Sequence, residues 1–190
     1  MAYLTQSQII AMGFKRVGIN VKISNKASIY DCHNIEIGDN SRLDDFCLLS
    51  GRIVIGRYCH VTPMCLIAGG LPGVFMSDYC TLAYGSKIFS QSDDYSGNSL
   101  TNSLMPKMYK KEIFLPVNIG KLVIIGSGST VLPGVNIEEG CAIGAMTLVN
   151  KSTTPWGIYA GIPAKRIKER SQKALEMLND FELKLVRSSR

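Results

Sequence analysis

Large apolar and small residues alternate along this chain with a period of six. An aliphatic residue is followed four positions later by a small one in Ile37-Gly-Asp-Asn-Ser41, Leu43-Asp-Asp-Phe-Cys47, Ile55-Gly-Arg-Tyr-Cys59, Val61-Thr-Pro-Met-Cys65, Met76-Ser-Asp-Tyr-Cys80 and Leu82-Ala-Tyr-Gly-Ser86. After a break the beat resumes as Ile125-Gly-Ser-Gly-Ser129, Val131-Leu-Pro-Gly-Val135, Ile137-Glu-Glu-Gly-Cys141 and Ile143-Gly-Ala-Met-Thr147. A period of six fits neither a helix, near 3.6, nor an alternating strand. It predicts a parallel β-helix in which each hexad forms one flat side of a triangular coil. Three short strands make a turn of about eighteen residues, and turns stack at ~4.8 Å. Each side sends one large apolar residue inward, with room only for a small one near the corner. Gly, Asn and Asp between the hexads suit tight corners, where positive φ is common.

The same pattern divides the chain, read as a single domain over residues 1–190. Residues 5–13 suit a short leading helix within an N-terminal segment, 1–16. Coils occupy 17–91, starting with the weaker hexads Val17–Lys22, Ile23–Ser28 and Ile29–Asn34. Ile67-Ala-Gly-Gly-Leu-Pro-Gly73 reads as an irregular insertion at a corner. A polar, lysine-bearing excursion fills 92–122; loops beyond about 12–15 residues in compact domains are usually functional or disordered. Late coils occupy 123–160. Gly161-Ile-Pro163 then turns the chain into a C-terminal helix within 161–190, since proline suits the first helical position. Ala174, Leu178, Phe181 and Leu185 give that helix one apolar face, suited to capping the open end of the prism, where bare sheet edges invite aggregation.

The hexad phase also accounts for the cysteines. Cys47, Cys59, Cys65, Cys80 and Cys141 fall in the small inward slot, and Cys32 does not. Their spacings match no zinc pattern, so they read as buried small hydrophobes. Free thiols in that number fit a reducing compartment. Gln6 and Gln8 interrupt the approach to the apolar pair Ile9 and Ile10, and no segment has the length of a membrane span. The expectation is a cytoplasmic protein.

The net charge of +6 is localised. Residues 163–190 carry eight basic side chains against four acidic, and 105–121 carry four lysines against one glutamate. Localised positive charge suggests an anionic ligand. No aromatic-interleaved basic platform accompanies it, which argues against nucleic acid.

These hexads, the segment Ile125-Gly-Ser-Gly-Ser-Thr-Val-Leu-Pro-Gly-Val135 and the closing Gly161-Ile-Pro-Ala-Lys-Arg-Ile-Lys168 resemble the hexapeptide-repeat acyltransferases, a left-handed parallel β-helix family. Ser90-Gln-Ser-Asp-Asp-Tyr-Ser-Gly97 followed by Leu100-Thr-Asn102 is similar to the sugar acetyltransferases of surface-polysaccharide (lipopolysaccharide) pathways. The resemblance implies a homotrimer whose active sites lie in grooves between neighbouring prisms, with acetyl-CoA running beside the late coils. Gly126, Gly128, Gly144 and Ala145 would leave backbone groups open to the pantetheine amides. Lys165 and Arg166 would meet the CoA phosphates, with Lys151 and Arg170 as weaker candidates.

Acetyl transfer needs a nucleophile, a destination for its proton and donors for the oxyanion. Many relatives use a histidine base, and this chain has His33 and His60. His60 takes an outward position facing a groove or solvent; His33 falls in the inward slot of a weak first hexad. Asp93 and Asp94 stand where the coils give way to the excursion. An ordinary aspartate is a poor base for a sugar hydroxyl unless desolvation or a like charge raises its pKa. It suits an amine, which arrives as ammonium and needs orientation. Ser86, Ser90, Ser92, Tyr95 and Asn102 are hydrogen-bonding candidates for the acceptor or thioester.

The reading is therefore an acetyltransferase acting on the amino group of a nucleotide-linked amino-deoxysugar. O-acetylation of a saccharide hydroxyl and a non-catalytic β-helix scaffold stay open as alternatives. A zinc hydratase needs three histidine ligands, and two histidines exclude it; no metal is expected. Ice binding would need a flat threonine array, and none is present.

Overall fold

Three columns of parallel strand pairing run down the molecule, one for each side of the coil. In the computed structural model, which describes residues 2–188, the first column links Arg16, Glu36, Val54, Phe75, Asn118 and Asn136. The second links Lys22, Arg42, His60, Thr81, Ile124, Ala142 and Ile158. The third links Ser28, Leu48, Leu66, Lys87, Thr130 and Leu148. The next residue along each strand points inward. Ile37, Ile55, Met76, Ile119 and Ile137 fill the interior from the first side, Leu43, Val61, Leu82, Ile125 and Ile143 from the second, and Leu49, Ile67, Ile88, Val131 and Val149 from the third, none more than 3% exposed. Each such side chain contributes roughly 1.5–3 kcal/mol by leaving water. This is the stacked parallel β-helix that the six-residue beat predicts.

The corners differ from expectation in their chemistry. Asn20, Asn40 and Gly140 take left-handed φ as polar or glycine corners should, but so do Tyr58, Tyr79, Leu122 and Trp156 in the same column. A second corner sets Phe46, Met64 and Met146 in line with Gly85 and Gly128. Left-handed φ costs a bulky residue roughly 1–2 kcal/mol. From the second coil on, the corner amides regain part of that through a hydrogen bond to the preceding coil, such as Tyr58 N to Asp39 O at 2.8 Å and Tyr79 N to Arg57 O at 2.9 Å.

The small inward slot also does more than fill space. Cys47 Sγ donates to Thr62 O, Cys59 Sγ to Ser77 O and Cys141 Sγ to Thr154 O, each at 3.1 Å. Ser41 Oγ and Ser129 Oγ make the equivalent bonds to Gly56 O at 2.8 Å and Gly144 O at 2.7 Å. The slot thus gives corner carbonyls a hydrogen-bond partner. All six cysteines are free, and only Cys32 is partly exposed.

Four expectations are corrected. The insertion after Ile67 is irregular, as expected, but forms no separate corner segment: it lies inside the strand Leu66–Met76, which shifts register against Leu48–Ile55 and leaves Leu71 exposed. Pro163 opens no helix; Lys165–Glu169 returns as a strand antiparallel to Gly157–Ala160. The C-terminal helix α2 (Lys173–Ser188) lies along the corner of Tyr58 and Tyr79 and does not cap the end. Leu178 is buried, the Phe181 ring meets Tyr58 edge-on at 5.4 Å, and Glu182 accepts from Tyr79 Oη at 2.8 Å and Arg57 at 2.7 Å. His33 is exposed in the short 3-10 turn Cys32–Asn34, not inward. The N-terminal helix α1 (Gln6–Ala11), capped by Thr5, places Ile9 in the core at the first coil. Ser189 and Arg190, the last residues of the expected C-terminal segment, lie outside the described residues. No helix among those described is long and apolar enough to cross a membrane.

Candidate active site

The excursion is an ordered hairpin built on the side of the coils. Gln91–Ser92 pairs antiparallel with Ile113–Phe114, and Leu100 bridges to Lys110 farther out. Lys110 is almost enclosed, with Nζ 2.8 Å from Glu112 Oε1 and 3.7 Å from Asp93 Oδ1. Asp94 accepts from Ser96 N and Ser96 Oγ, both at 2.9 Å, and from Ser99 Oγ at 3.0 Å. The Ser96 amide and hydroxyl, with Ser99, hold its carboxyl below the usual carboxylate range. The raised basicity that hydroxyl chemistry would demand of it is absent. Asp94 stays ionised, and of its roughly four lone-pair sites one on Oδ1 remains for an incoming donor.

Ser99 and Lys110 line a surface hollow together with Gly97, Leu100, Met108 and Tyr109. Sequence reading missed Ser99, Lys110 and Tyr109, because the hairpin has no periodicity to show what faces what. Among the residues it named, Ser92 stands at the hairpin base with its hydroxyl on Asp93 O. Tyr95 is 93% exposed. Asn102 sits at a left-handed turn, its side chain accepting from Leu104 N at 2.9 Å. Ser86 and Ser90 are corrections. Both are wholly buried, Ser86 Oγ donating to Ala83 O at 2.6 Å and Ser90 Oγ to Gly69 O, so neither side chain reaches a ligand.

The late-coil residues fall along one corner, but for a different reason from the one expected. A Cβ on Gly126 would stand 2.5 Å from Ala145 N, and one on Gly144 would stand 3.1 Å from the Ala160 Cβ. The amide of Gly126 donates to Ile143 O and that of Gly144 to Tyr159 O. Close coil stacking therefore requires these glycines, and their amides are already used. Gly128 turns the corner at φ 70° and Ala145 is exposed beside it. Lys165 and Lys151 are exposed and make no ion pair among the described residues. Arg166 is committed to Thr154 Oγ1 at 2.7 Å and Glu169 at 2.7 Å. Arg170 caps carbonyls of Leu122 and Gly140 at 2.8 and 2.9 Å, which removes it as a phosphate ligand.

His60 lies on the second side of the coil, outward as expected and 38% exposed, with Nε2 2.8 Å from Asp44 Oδ2. Among the described residues it shares no hydrogen bond or ion pair with Asp93 or Asp94. Among the described residues no cluster of His, Cys, Asp and Glu could hold a metal.

No family model matches the chain. Whole-length relatives do. A dTDP-4-amino-4,6-dideoxy-D-glucose acyltransferase from Escherichia coli is 46% identical over 185 residues, covering 96% of each chain. AntD, an N-acyltransferase from Bacillus cereus solved with dTDP and 3-hydroxybutyryl-CoA, superposes with a TM-score of 0.94 at 40% identity, over 96% of this chain and 97% of that one. A serine-to-alanine variant of AntD, solved with dTDP-4-amino-4,6-dideoxyglucose and coenzyme A, matches at TM-score 0.94 and 41% identity, over 96% and 98%. At 22% identity, a maltose O-acetyltransferase from Clostridium difficile 630 shares the fold, with a TM-score of 0.56 over 88% of this chain and 75% of that one. Six-residue coils, a hairpin excursion and full-length likeness to these enzymes together make the chain a member of the hexapeptide-repeat acyltransferase family.

Proposed function

We propose that the protein transfers an acetyl group from acetyl-CoA to the amino group of a nucleotide-linked amino-deoxysugar, with a dTDP-linked 4-amino-4,6-dideoxyglucose as the acceptor class. Likeness over 96% of the chain to an acyltransferase of that sugar carries the reading. The state of Asp94 supports it. A low-pKa carboxylate with a free lone pair orients an ammonium well and deprotonates a sugar hydroxyl poorly. Asp94 therefore positions the acceptor nitrogen, and Lys110, set between Glu112 and Asp93, fixes the hairpin that presents it. Such a sugar would be a precursor for surface polysaccharide, made in the cytoplasm.

The donor lies along the corner of Gly126, Gly128 and Ala145, with Lys165 and Lys151 near the CoA phosphates and Arg166 available only if it leaves Glu169. The same corner carries exposed Phe46, Met64, Tyr84, Met146 and Ile162. An apolar ladder of this kind supports close packing of copies into a homotrimer, with the groove between them as the acyl-transfer site. Thiol release from acetyl-CoA tests the reading. Turnover with dTDP-4-amino-4,6-dideoxyglucose and none with dTDP-glucose supports it; equal turnover with both moves the assignment to O-acetylation. No release with either acceptor, and no CoA binding, leaves a scaffold.

A further inference from the structure

The second corner of the coil has one step without a side chain that nothing in the packing explains. Its left-handed residues in successive coils are Phe46, Met64, Gly85, Gly128 and Met146. Their amides reach back to Lys26, Asp45, Pro63, Tyr84 and Ser127 O in the same order, so the stack is continuous. Phe46, Met64 and Met146 adopt this turn at φ 60°, 65° and 53°, and the turn therefore does not by itself demand glycine. Steric crowding accounts for one of the two glycines. A Cβ on Gly128 would stand 2.5 Å from Met146 Sδ, because that side chain folds back over it. A Cβ on Gly85 would meet nothing within 4 Å. What glycine provides at position 85 is room.

The room is a recess one coil high, ~4.8 Å. Met64 in the preceding coil and the Met146 thioether over Gly128 bound it along the corner, and Tyr84 stands beside it. All three side chains are exposed. Tyr84 is the bulky member of its own stack, which runs Asp45, Pro63, Tyr84, Ser127 and Ala145. Its hydroxyl lies within electrostatic reach of Arg42, two coils back on the second side and gripped by Asp44. The ring is thus set toward the early coils and leaves the Ser127 and Ala145 steps of the late-coil corner uncovered. Those small steps lead from the late coils to Gly85 and stop at Tyr84. The coil that holds Gly85 is also the one from which the Asp94 hairpin departs at Gln91.

We infer that the recess at Gly85 receives the methyl group of the acetyl donor, and that Tyr84 sets acyl length by admitting two carbons and rejecting four. The inference rests on the aminosugar reading, which puts the acceptor nitrogen at the hairpin and the thioester at the end of the late-coil corner. An acyl chain two methylenes longer has to displace one of the recess walls. Methionine walls adapt to an extra group; a tyrosine ring with two side-chain torsions yields less. Tyr84 is therefore the wall that discriminates, and Gly85 is the floor that lets any acyl group in.

The test compares kcat/KM for acetyl-CoA and butyryl-CoA on dTDP-4-amino-4,6-dideoxyglucose, alongside melting curves. The wild type is expected to prefer acetyl-CoA about 100-fold, the scale of discrimination that a pocket wall gives against added methylenes. Tyr84→Ala is expected to bring the two donors within about fivefold of each other, and Tyr84→Phe, which keeps the ring, to retain the preference. Gly85→Ala fills the recess and is expected to lower kcat/KM for acetyl-CoA about tenfold. Phe46→Ala, on the same ladder two coils away, is expected to leave the donor ratio where it was. A wild type that uses both donors equally overturns the inference. So does a folded Tyr84→Ala enzyme with the wild-type ratio, which would leave Tyr84 a packing residue only, or a Gly85→Ala enzyme with wild-type kcat/KM for acetyl-CoA. No turnover of this acceptor with either donor overturns the aminosugar reading, and this inference with it.

Discussion

Replacing Gly126 by alanine separates two reasons for having glycine there, ligand access and coil stacking. An added Cβ would lie 2.5 Å from Ala145 N, 2.6 Å from Gly144 C and 2.8 Å from Ile143 O. All three are backbone atoms, so no side chain can swing aside. To reach ordinary contact the two coils must part by about 0.5–1 Å, an overpacking that costs ~1–3 kcal/mol. Parting them also stretches the bonds from Gly126 N to Ile143 O, at 2.8 Å, and from Met146 N to Ser127 O, at 2.8 Å. Each contributes about 1 kcal/mol. The expected loss is about 3 kcal/mol, or ~6–12 °C in melting temperature for a chain of this length. Gly85→Ala is the control. Its Cβ meets nothing within 4 Å, and the cost is that of φ +68° alone, ~1 kcal/mol. Urea melts at fixed protomer concentration measure both. The stacking argument is refuted if Gly126→Ala is no less stable than Gly85→Ala, and a loss of CoA affinity without loss of stability would restore the ligand explanation.

Three further outcomes are expected. Glu182→Gln should lower the titration midpoint of Tyr79, which burial and the Glu182 carboxylate together push up to about 12; absorbance near 295 nm against pH reads it, and an unmoved midpoint would mean α2 does not sit on Tyr79. Asp94→Asn should raise the KM for the aminosugar roughly tenfold or more, from the ~1.5–3 kcal/mol of one charged hydrogen bond. Because Asp94 is held below its ordinary range, it stays ionised until well into acid, so an acidic limb of activity above pH 5 should survive in this variant; loss of that limb would make Asp94 the titrating group. A thiol reagent should label Cys32 alone, and slowly, in the native protein, and all six cysteines in urea; rapid native labelling of Cys47 would contradict its enclosure, which lifts its thiol to about 12.

The core was legible in the sequence because each hexad declares its own inward residue: Leu43, Val61, Leu82 and Ile125 needed only the period. The same phase already put Ser86 inward, and treating it as a ligand set a family expectation against the geometry of its own hexad. Other features depend on what a neighbouring coil supplies, which a local pattern does not contain. Asp44 looks like a corner aspartate until His60, a coil away, is seen to lean on it. Tyr58 and Tyr79 look like poor corner residues until α2 is laid across them. The hairpin of residues 92–114 has no repeat at all, so the enclosure of Lys110 and the grip of Ser99 on Asp94 had no signature to read.

The register across that hairpin has an evolutionary consequence. Val74 pairs with Val117 and Thr81 with Ile124, in the columns that Val117–Ile119 and Ile124 then continue to Asn136 and Ala142. The scaffold is thus indifferent to what lies between departure and return. A hairpin of another length or composition can be grafted there without shifting one inward residue. The hairpin can then drift as a cassette, while the coil stacking, written into Gly126 and Gly144, is held constant.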